Sequence, residues 1–285
     1  MPELPEVETV ARQLNQVIKG KAFSNIQILS PSSFHGDTKS VMGLPIEDIS
    51  RRAKTLIFEF SQNLYILIHL KMTGQLIYVS DVGRVAGGHP SHDFHSALPN
   101  IHTRVIFTLD DGTKLYFNDI RKFGWVRVVD QEGFLDYFRK FGPDAVPSIE
   151  LAYFRKRAER MPRSSIKKFI LDQGVISGVG NIYADEALFE AKIAPQRLVA
   201  SLSSKEWANL AEIISRKLLF AVDKGGTTDN DYVNAFGEKG GMQDYLNVYH
   251  KTGSLCPNGC GGVIVRAKVA GRGTHYCPRC QKETQ

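Results

Sequence analysis

Four cysteines confined to the last thirty residues constrain this 285-residue chain more than any other feature. They read Cys256-x3-Cys260-x16-Cys277-x2-Cys280. Disulfides that staple a secreted fold would be spread along the chain, so a clustered quartet reads as a metal site. Two cysteine pairs flanking a hairpin-length stretch suit one tetrahedral Zn²⁺, and four protein ligands leave no open position, so the ion is structural. From Tyr245 to Gln285 six Lys or Arg stand against one Glu. Four thiolates around Zn²⁺ reduce that excess by two, which leaves a small basic module suited to phosphate contact. The whole chain carries +6, a sign that favours a polyanionic partner.

The remaining chain divides by pattern. After a first helix, residues from Phe23 to about Asp130 read as strands: Thr55–Phe60, Leu64–Leu70, Arg104–Leu109, Lys114–Asn118 and Trp125–Val129 are rich in β-branched and aromatic residues. Asp110-Asp111-Gly112 marks a hairpin turn. Many short antiparallel strands imply a sandwich or flattened barrel. Residues 80–100 lack periodicity and are expected to be an irregular surface insertion. From Gln131 the period turns helical, with helices expected at 131–140, 150–160, 164–173, 181–191 and 204–223 and a break near Gly142-Pro143. A long Gly-, Thr- and Asn-rich loop follows at 224–244. No apolar run is long enough to span a bilayer, and the N-terminus lacks a basic–apolar signal pattern. A cytoplasmic monomer is expected.

The opening, Met1-Pro2-Glu3-Leu4-Pro5-Glu6-Val7, carries a chemistry of its own. Removal of Met1 would leave Pro2 with a secondary amine, titrating near ~8. Such an amine can form an iminium with an aldehyde-like carbon. Leu4, Val7, Ala11, Leu14 and Ile18 recur at helical spacing and Gly20 ends the run, so the amine sits at a helix mouth whose positive end disfavours its protonated form.

MPELPEVETV resembles the opening of the formamidopyrimidine-DNA glycosylases, bacterial enzymes that remove oxidised purines from DNA, and the similarity runs nearly end to end. Arg51-Arg52-Ala53-Lys54 resembles the stretch whose lysine assists β-elimination, which assigns that role to Lys54. His69-Leu-Lys-Met-Thr-Gly74 resembles the stretch with an intercalating methionine, here Met72, with Thr73 beside it in lesion recognition; Lys71 stands where the family often has glycine. Asn118-Asp-Ile-Arg-Lys-Phe-Gly124 matches a turn in which Arg121 contacts the orphaned partner base and Phe123 fills the vacated stack. Ile101-His102-Thr103-Arg104 resembles a stretch whose histidine contacts DNA; Arg104 replaces a second histidine and is expected to remain a phosphate-capable cation. Met161–Gln173 leading to Gly178-Val-Gly-Asn181-Ile-Tyr resembles the family's helix–two-turn–helix motif, with Arg163, Lys167 and Asn181 as DNA contacts. Arg272-Gly-Thr-His-Tyr-Cys277 resembles the zinc-finger tip, whose arginine acts in δ-elimination. The first cysteine pair holds one residue more than is usual, so a looser first knuckle is expected.

The resemblance implies an α+β chain in three parts. These are an N-terminal antiparallel β-sandwich with an N-terminal helix over 2–130, a helical domain over 131–244 with lesion-recognition loop 224–244, and a zinc-ribbon hairpin over 245–285. It implies a bifunctional glycosylase and lyase on damaged duplex DNA, with Pro2 as nucleophile and Glu3 as acid. Leu4, where the pyrimidine branch typically has glycine, and a lid with Thr227 and Thr228 favour 8-oxoguanine and formamidopyrimidines. The rivals are a sister enzyme for oxidised pyrimidines and a non-catalytic nucleic-acid-binding zinc protein. Pro2, Glu3 and Lys54 together argue against the latter.

Overall fold

The computed structural model describes residues 2–81, 83–88, 96–227 and 240–283. The chain forms two compact units, residues 1–139 with 222–243, and residues 140–221 with 244–285.

The first unit opens with α1 (Leu4–Ile18). Glu6 in its first turn accepts a hydrogen bond from the Glu3 amide at 2.7 Å, which satisfies one of the amides a helix start leaves without an intrahelical partner. Leu4, Val7, Val10, Ala11, Leu14 and Ile18 bury one face, and Gly20 turns the chain out at φ 85°. That is the helix and the stop its sequence period predicts.

Two five-stranded sheets follow. One has the order β1 (Phe23–Ile28), β8 (Thr103–Leu109), β9 (Lys114–Asp119), β6 (Gly74–Ser80), β7 (Gly83–Gly88). The other has the order β2 (Phe34–His35), β10 (Trp125–Val129), β5 (Leu64–His69), β4 (Thr55–Phe60), β3 (Ile46–Arg52). Pairing is antiparallel except for the short β2–β10 pair, which is parallel. Inward residues of both sheets form one core, in which the Phe23 ring lies 5.1 Å from Phe107 and 5.9 Å from Phe60. Each such side chain contributes roughly 1.5–3 kcal/mol by leaving water.

Residues 83–88 correct the expectation of an irregular insertion. They pair with β6 from Ser80↔Gly83 to Gln75↔Gly88. A glycine-bearing edge strand gives no alternating signal, and its glycine has a packing cause. A Cβ on Gly87 would lie 2.3 Å from Val10 of α1. Helix α2 (Gln131–Arg139) completes this unit through ring contacts of Phe134 with Tyr65 and of Tyr137 with Trp125.

The second unit contains α3 (Leu151–Glu159), α4 (Ile166–Leu171), α5 (Asn181–Glu190) and most of α6 (Ser204–Asp223). Phe154, Phe169 and Trp207 meet pairwise at 5.1–5.5 Å and join α3, α4 and α6. Between α4 and α5 the Gln173 amide donates to the carbonyls of Leu171 and Val179 and accepts from the Gly178 amide. Asp172 and Arg157 add bonds to the Gly174 amide and carbonyl of the same turn. The unit ends in the hairpin β11 (Val265–Val269) and β12 (Arg272–Tyr276), closed by Ala270 and Gly271, both at positive φ. Among the described residues no helix is long and apolar enough to cross a membrane.

Candidate functional site

Strand register gathers the expected catalytic and DNA-facing segments of the first unit at one end of its sandwich. The β3–β4 turn, Ala53-Lys54, lies between the paired residues Arg52 and Thr55. Beside Leu56 runs Ile68, and His69 at the end of β5 pairs with Trp125 at the start of β10. In the facing sheet Gly74, Asp119 and Thr103 sit at matching ends of β6, β9 and β8. The loops carrying Met72, His102, and Arg121 with Phe123 therefore emerge side by side.

Helix α1 brings its N-terminus to the same end. Asn15 donates to Asp48 and accepts from the Ile49 amide, whereas Glu8, nearer the helix start, pairs with Arg51 at 2.7 Å. The helix thus runs so that Pro2 and Glu3 approach the Lys54 turn. Burial acts to raise the Glu8 carboxyl, but the hydrogen bonds and charges of Arg51 and Arg12 outweigh it and hold the group below its ordinary range. The helix is fastened to β3 by an ionised pair. Pro2, Glu3 and Lys54 are all buried. Ala53 takes φ 56°, the left-handed geometry of this two-residue turn.

Glu6 does more at this end than begin a helix. Its Oε2 accepts from the Glu3 amide and its Oε1 from the Thr227 amide at 2.8 Å. One carboxylate therefore joins the N-terminal residues to the start of the 224–244 loop. A Cβ at Gly226 would come within 2.9 Å of that Oε1, so the approach requires glycine there. The loop's two feet close on each other: the Gly241 amide donates to the Lys224 carbonyl and the Met242 amide to that of Gly226. Thr227 is buried beside Glu6, and Thr228 lies outside the described residues. The sequence signal for Glu6 was present only as an acidic residue in a first helical turn, which is ordinary helix chemistry.

The turn after β9 is built on Asp119, which is fully buried. Its carboxylate accepts from the Gly124 amide at 2.7 Å, from the Arg121 amide at 3.2 Å and from the Thr73 hydroxyl. Thr73 in turn accepts from the Arg121 amide at 3.0 Å. This ties the Met72 loop to the Arg121 turn. Phe123 is left 53% exposed, with the Arg121 guanidinium 4.7 Å from its ring centre. Met72 and His102 are half-buried.

Arg104 corrects an expectation. It is buried, and its guanidinium donates to the carbonyls of Asp119 at 2.8 Å and Ile101 at 3.0 Å. It braces two turns and does not present a surface cation.

In the second unit Arg163 and Arg272 are exposed, the latter at the first residue of β12. Lys167 is a second correction. Its side chain is 0% exposed, and its Nζ contacts Asp185 Oδ1 at 2.5 Å and Thr274 Oγ1 at 2.7 Å. Asp185 Oδ2 accepts from the His275 amide at 2.8 Å, and Asn181 donates to the Gly273 carbonyl at 3.0 Å. Lys167 and Asn181 thus tie α4 and α5 to the hairpin that carries Arg272. The cation facing solvent on α4 is the neighbour, Lys168. Spacing alone does not distinguish two adjacent lysines, because the outcome depends on which one the buried Asp185 meets.

The four cysteine sulfurs lie within 4.8 Å of one another, with Cys256–Cys280 at 3.7 Å and Cys260–Cys277 at 3.6 Å. The extra residue of the first knuckle does not splay the set. Gly259 and Gly261 take positive φ, and the Cys256 amide donates to the Gly262 carbonyl. Burial raises the Cys256 thiol to about 12, whereas the Gly262 amide lowers Cys260 to about 7. Metal uptake must therefore displace protons from this set. The donor set fits one structural Zn²⁺, and Phe189, Val248 and Ile264 pack against it.

Comparison with known proteins gives this arrangement its place. The profile described as the formamidopyrimidine-DNA glycosylase N-terminal domain matches residues 1–126. The corresponding H2TH domain matches 141–232, and the zinc finger found in FPG and IleRS matches 253–282. A zinc-finger enzyme of the DNA glycosylase class is thereby defined. The chain belongs to the formamidopyrimidine-DNA glycosylase family. It is 40% identical to the formamidopyrimidine-DNA glycosylase of Enterococcus faecalis, over 99% of this chain and 98% of that protein. Identity to the Pelotomaculum thermopropionicum protein of the same name is 37%, covering 99% of each. Lactococcus lactis Fpg in complex with DNA containing an abasic site superposes with a TM-score of 0.85 at 33% identity, over 99% of this chain and 100% of that one. A variant of that protein with Fapy-dG-containing DNA gives 0.86 at 34%, with the same coverage.

Proposed function

We propose that this enzyme excises oxidised purines, 8-oxoguanine and formamidopyrimidines, from duplex DNA and then cleaves the strand. The observation that carries the reading is the gathering, at one end of one sandwich, of buried Pro2, Glu3 and Lys54 with the exposed turn of Arg121 and Phe123. With Met1 removed, the Pro2 amine attacks C1′ of an extruded nucleotide and the bond from C1′ to the base breaks. Glu3 protonates the sugar ring oxygen as the ring opens, which leaves an iminium at C1′. Loss of a C2′ proton, assisted by Lys54, expels the 3′ phosphate, and δ-elimination, assisted by Arg272, expels the 5′ phosphate. Phe123 and Met72 occupy the vacated stack while Arg121 meets the partner base. His102, Arg163 and Asn181 serve DNA binding, and Thr73, Thr227 and Thr228 serve lesion recognition. Lys168 takes the phosphate contact that the sequence assigned to Lys167. The reaction belongs in the cytoplasm, where chromosomal DNA is the substrate.

Borohydride trapping on a duplex with one defined lesion tests the mechanism. A protein–DNA adduct through residue 2 is expected, and normal excision by protein shown by mass spectrometry to retain Met1 would falsify it. A second reading, action on oxidised pyrimidines, is favoured by the Lactococcus lactis protein, which has been crystallised with oxidised-pyrimidine-containing DNA. Single-turnover excision of 8-oxoguanine and of thymine glycol separates the two.

A further inference from the structure

Ile101 is 84% exposed, the largest exposure among the described large hydrophobic residues. Its exposure does not arise from a slack loop. The Thr103 amide donates to the Asn100 carbonyl at 3.0 Å and closes a tight turn with Ile101 at its tip. Inside that turn the Asn100 side chain accepts from the His102 amide, and the Thr103 hydroxyl accepts from the Asn100 amide, both at 2.9 Å. The Ile101 carbonyl itself is held by buried Arg104. A β-branched apolar side chain is therefore presented to water by a braced backbone.

The same braces tie this turn to the one bearing Phe123. Arg104 donates from Nε to the Asp119 carbonyl and from Nη1 to that of Ile101, and the Asp119 amide donates to the His102 carbonyl at 2.9 Å. Ile101, Ile120 and Phe123 thus stand exposed on two mutually fastened turns, beside the exposed cations Arg121 and Lys122. Apolar points among cations suit a surface that alternates phosphates with sugar and base faces.

We propose that Ile101 is an additional DNA contact, seated against sugar and base faces of the duplex beside the turn that bears Phe123. The proposal rests on the reading of this end of the sandwich as the DNA-binding end. An isoleucine side chain donates and accepts no hydrogen bonds, so its contribution is independent of sequence. It displaces no counterions, so it is also independent of salt.

The test uses zinc-loaded full-length protein and fluorescence anisotropy on a duplex carrying one tetrahydrofuran abasic analogue, over a salt series. Ile101→Ser should weaken binding about tenfold, near the lower limit of what burying one isoleucine is worth. Its plot of log affinity against log salt should run parallel to that of the unaltered protein, and Ile101→Leu should restore most of the loss. Lys122→Gln should instead lower the salt slope by about one. The thermal midpoint of Ile101→Ser should not move. Affinity within twofold of the unaltered protein overturns the proposal, and so does a fall of several degrees in the midpoint, which makes Ile101 a folding residue. If the unaltered protein itself fails to bind the duplex or to trap at Pro2, the reading of function fails with it. If it binds and traps normally and Ile101→Ser behaves identically, only the Ile101 contact fails.

Discussion

Asp119 and Asp185 are both fully buried, and each holds a segment that the proposed chemistry needs, but they do it differently. Asp119 gathers two backbone amides and a hydroxyl and so shapes the turn of Arg121 and Phe123. Asp185 gathers the Lys167 ammonium and the His275 amide and so fastens the zinc hairpin to α4 and α5. The first arrangement is local, since its partners lie within one turn and the loop beside it. The second joins segments about ninety residues apart in sequence. A short turn can be organised by amides it already contains. The Asp185 arrangement adds a charge–charge attraction between α4 and α5, at the cost of burying two ions, and reaches the hairpin through hydrogen bonds with the His275 amide and the Thr274 hydroxyl.

The largest expected effect is on the ion pair. Lys167→Met leaves Asp185 buried beside an apolar side chain and should cost about 3–5 kcal/mol in urea unfolding. Lys167→Met with Asp185→Leu removes both charges and should recover much of that loss. A single variant that loses less than ~1 kcal/mol would show that the ammonium is not what holds the hairpin. Asp119→Asn should cost less, about 1–3 kcal/mol, because one donor of the turn loses its acceptor. Its effect on duplex affinity should exceed its effect on unfolding, since the altered turn carries Phe123. Equal losses in the two measurements would make Asp119 a fold residue only.

The smallest effect belongs to an exposed counterpart, Asp111, whose Oδ2 lies 2.6 Å from Lys21 Nζ. Hydrogen bonds from Lys21 and Thr113 hold its carboxyl down to about 2. A depressed carboxyl stabilises the fold above its unfolded value near ~4, and the contribution is lost as pH falls from there toward ~2. Solvent screening keeps it to about 0.5 kcal/mol or less. Asp111→Asn should flatten urea-measured stability slightly between pH 4 and pH 2.5, and an unchanged slope would remove Asp111 from the comparison.

What the sequence determined by itself was set by short-range chemistry. The four cysteines identified their metal because ligand type and spacing are local properties. Helix α1 ran from Leu4 to a stop at Gly20 because a 3.6-residue period and a glycine need no distant partner to be recognised. The strands rich in β-branched and aromatic residues, Thr55–Phe60, Thr103–Leu109 and Lys114–Asp119 among them, were equally legible. The tertiary structure decided which polar groups were taken inside. Lys167 and Lys168 are chemically identical neighbours, yet one is buried against Asp185 and the other faces solvent. Arg104 became a brace between two turns, Glu6 a clamp on the start of a distant loop, and glycine-bearing residues 83–88 an edge strand lying under α1. Each outcome depends on a partner remote in sequence, because a buried charge or an unpatterned strand is stable only where a complementary surface meets it.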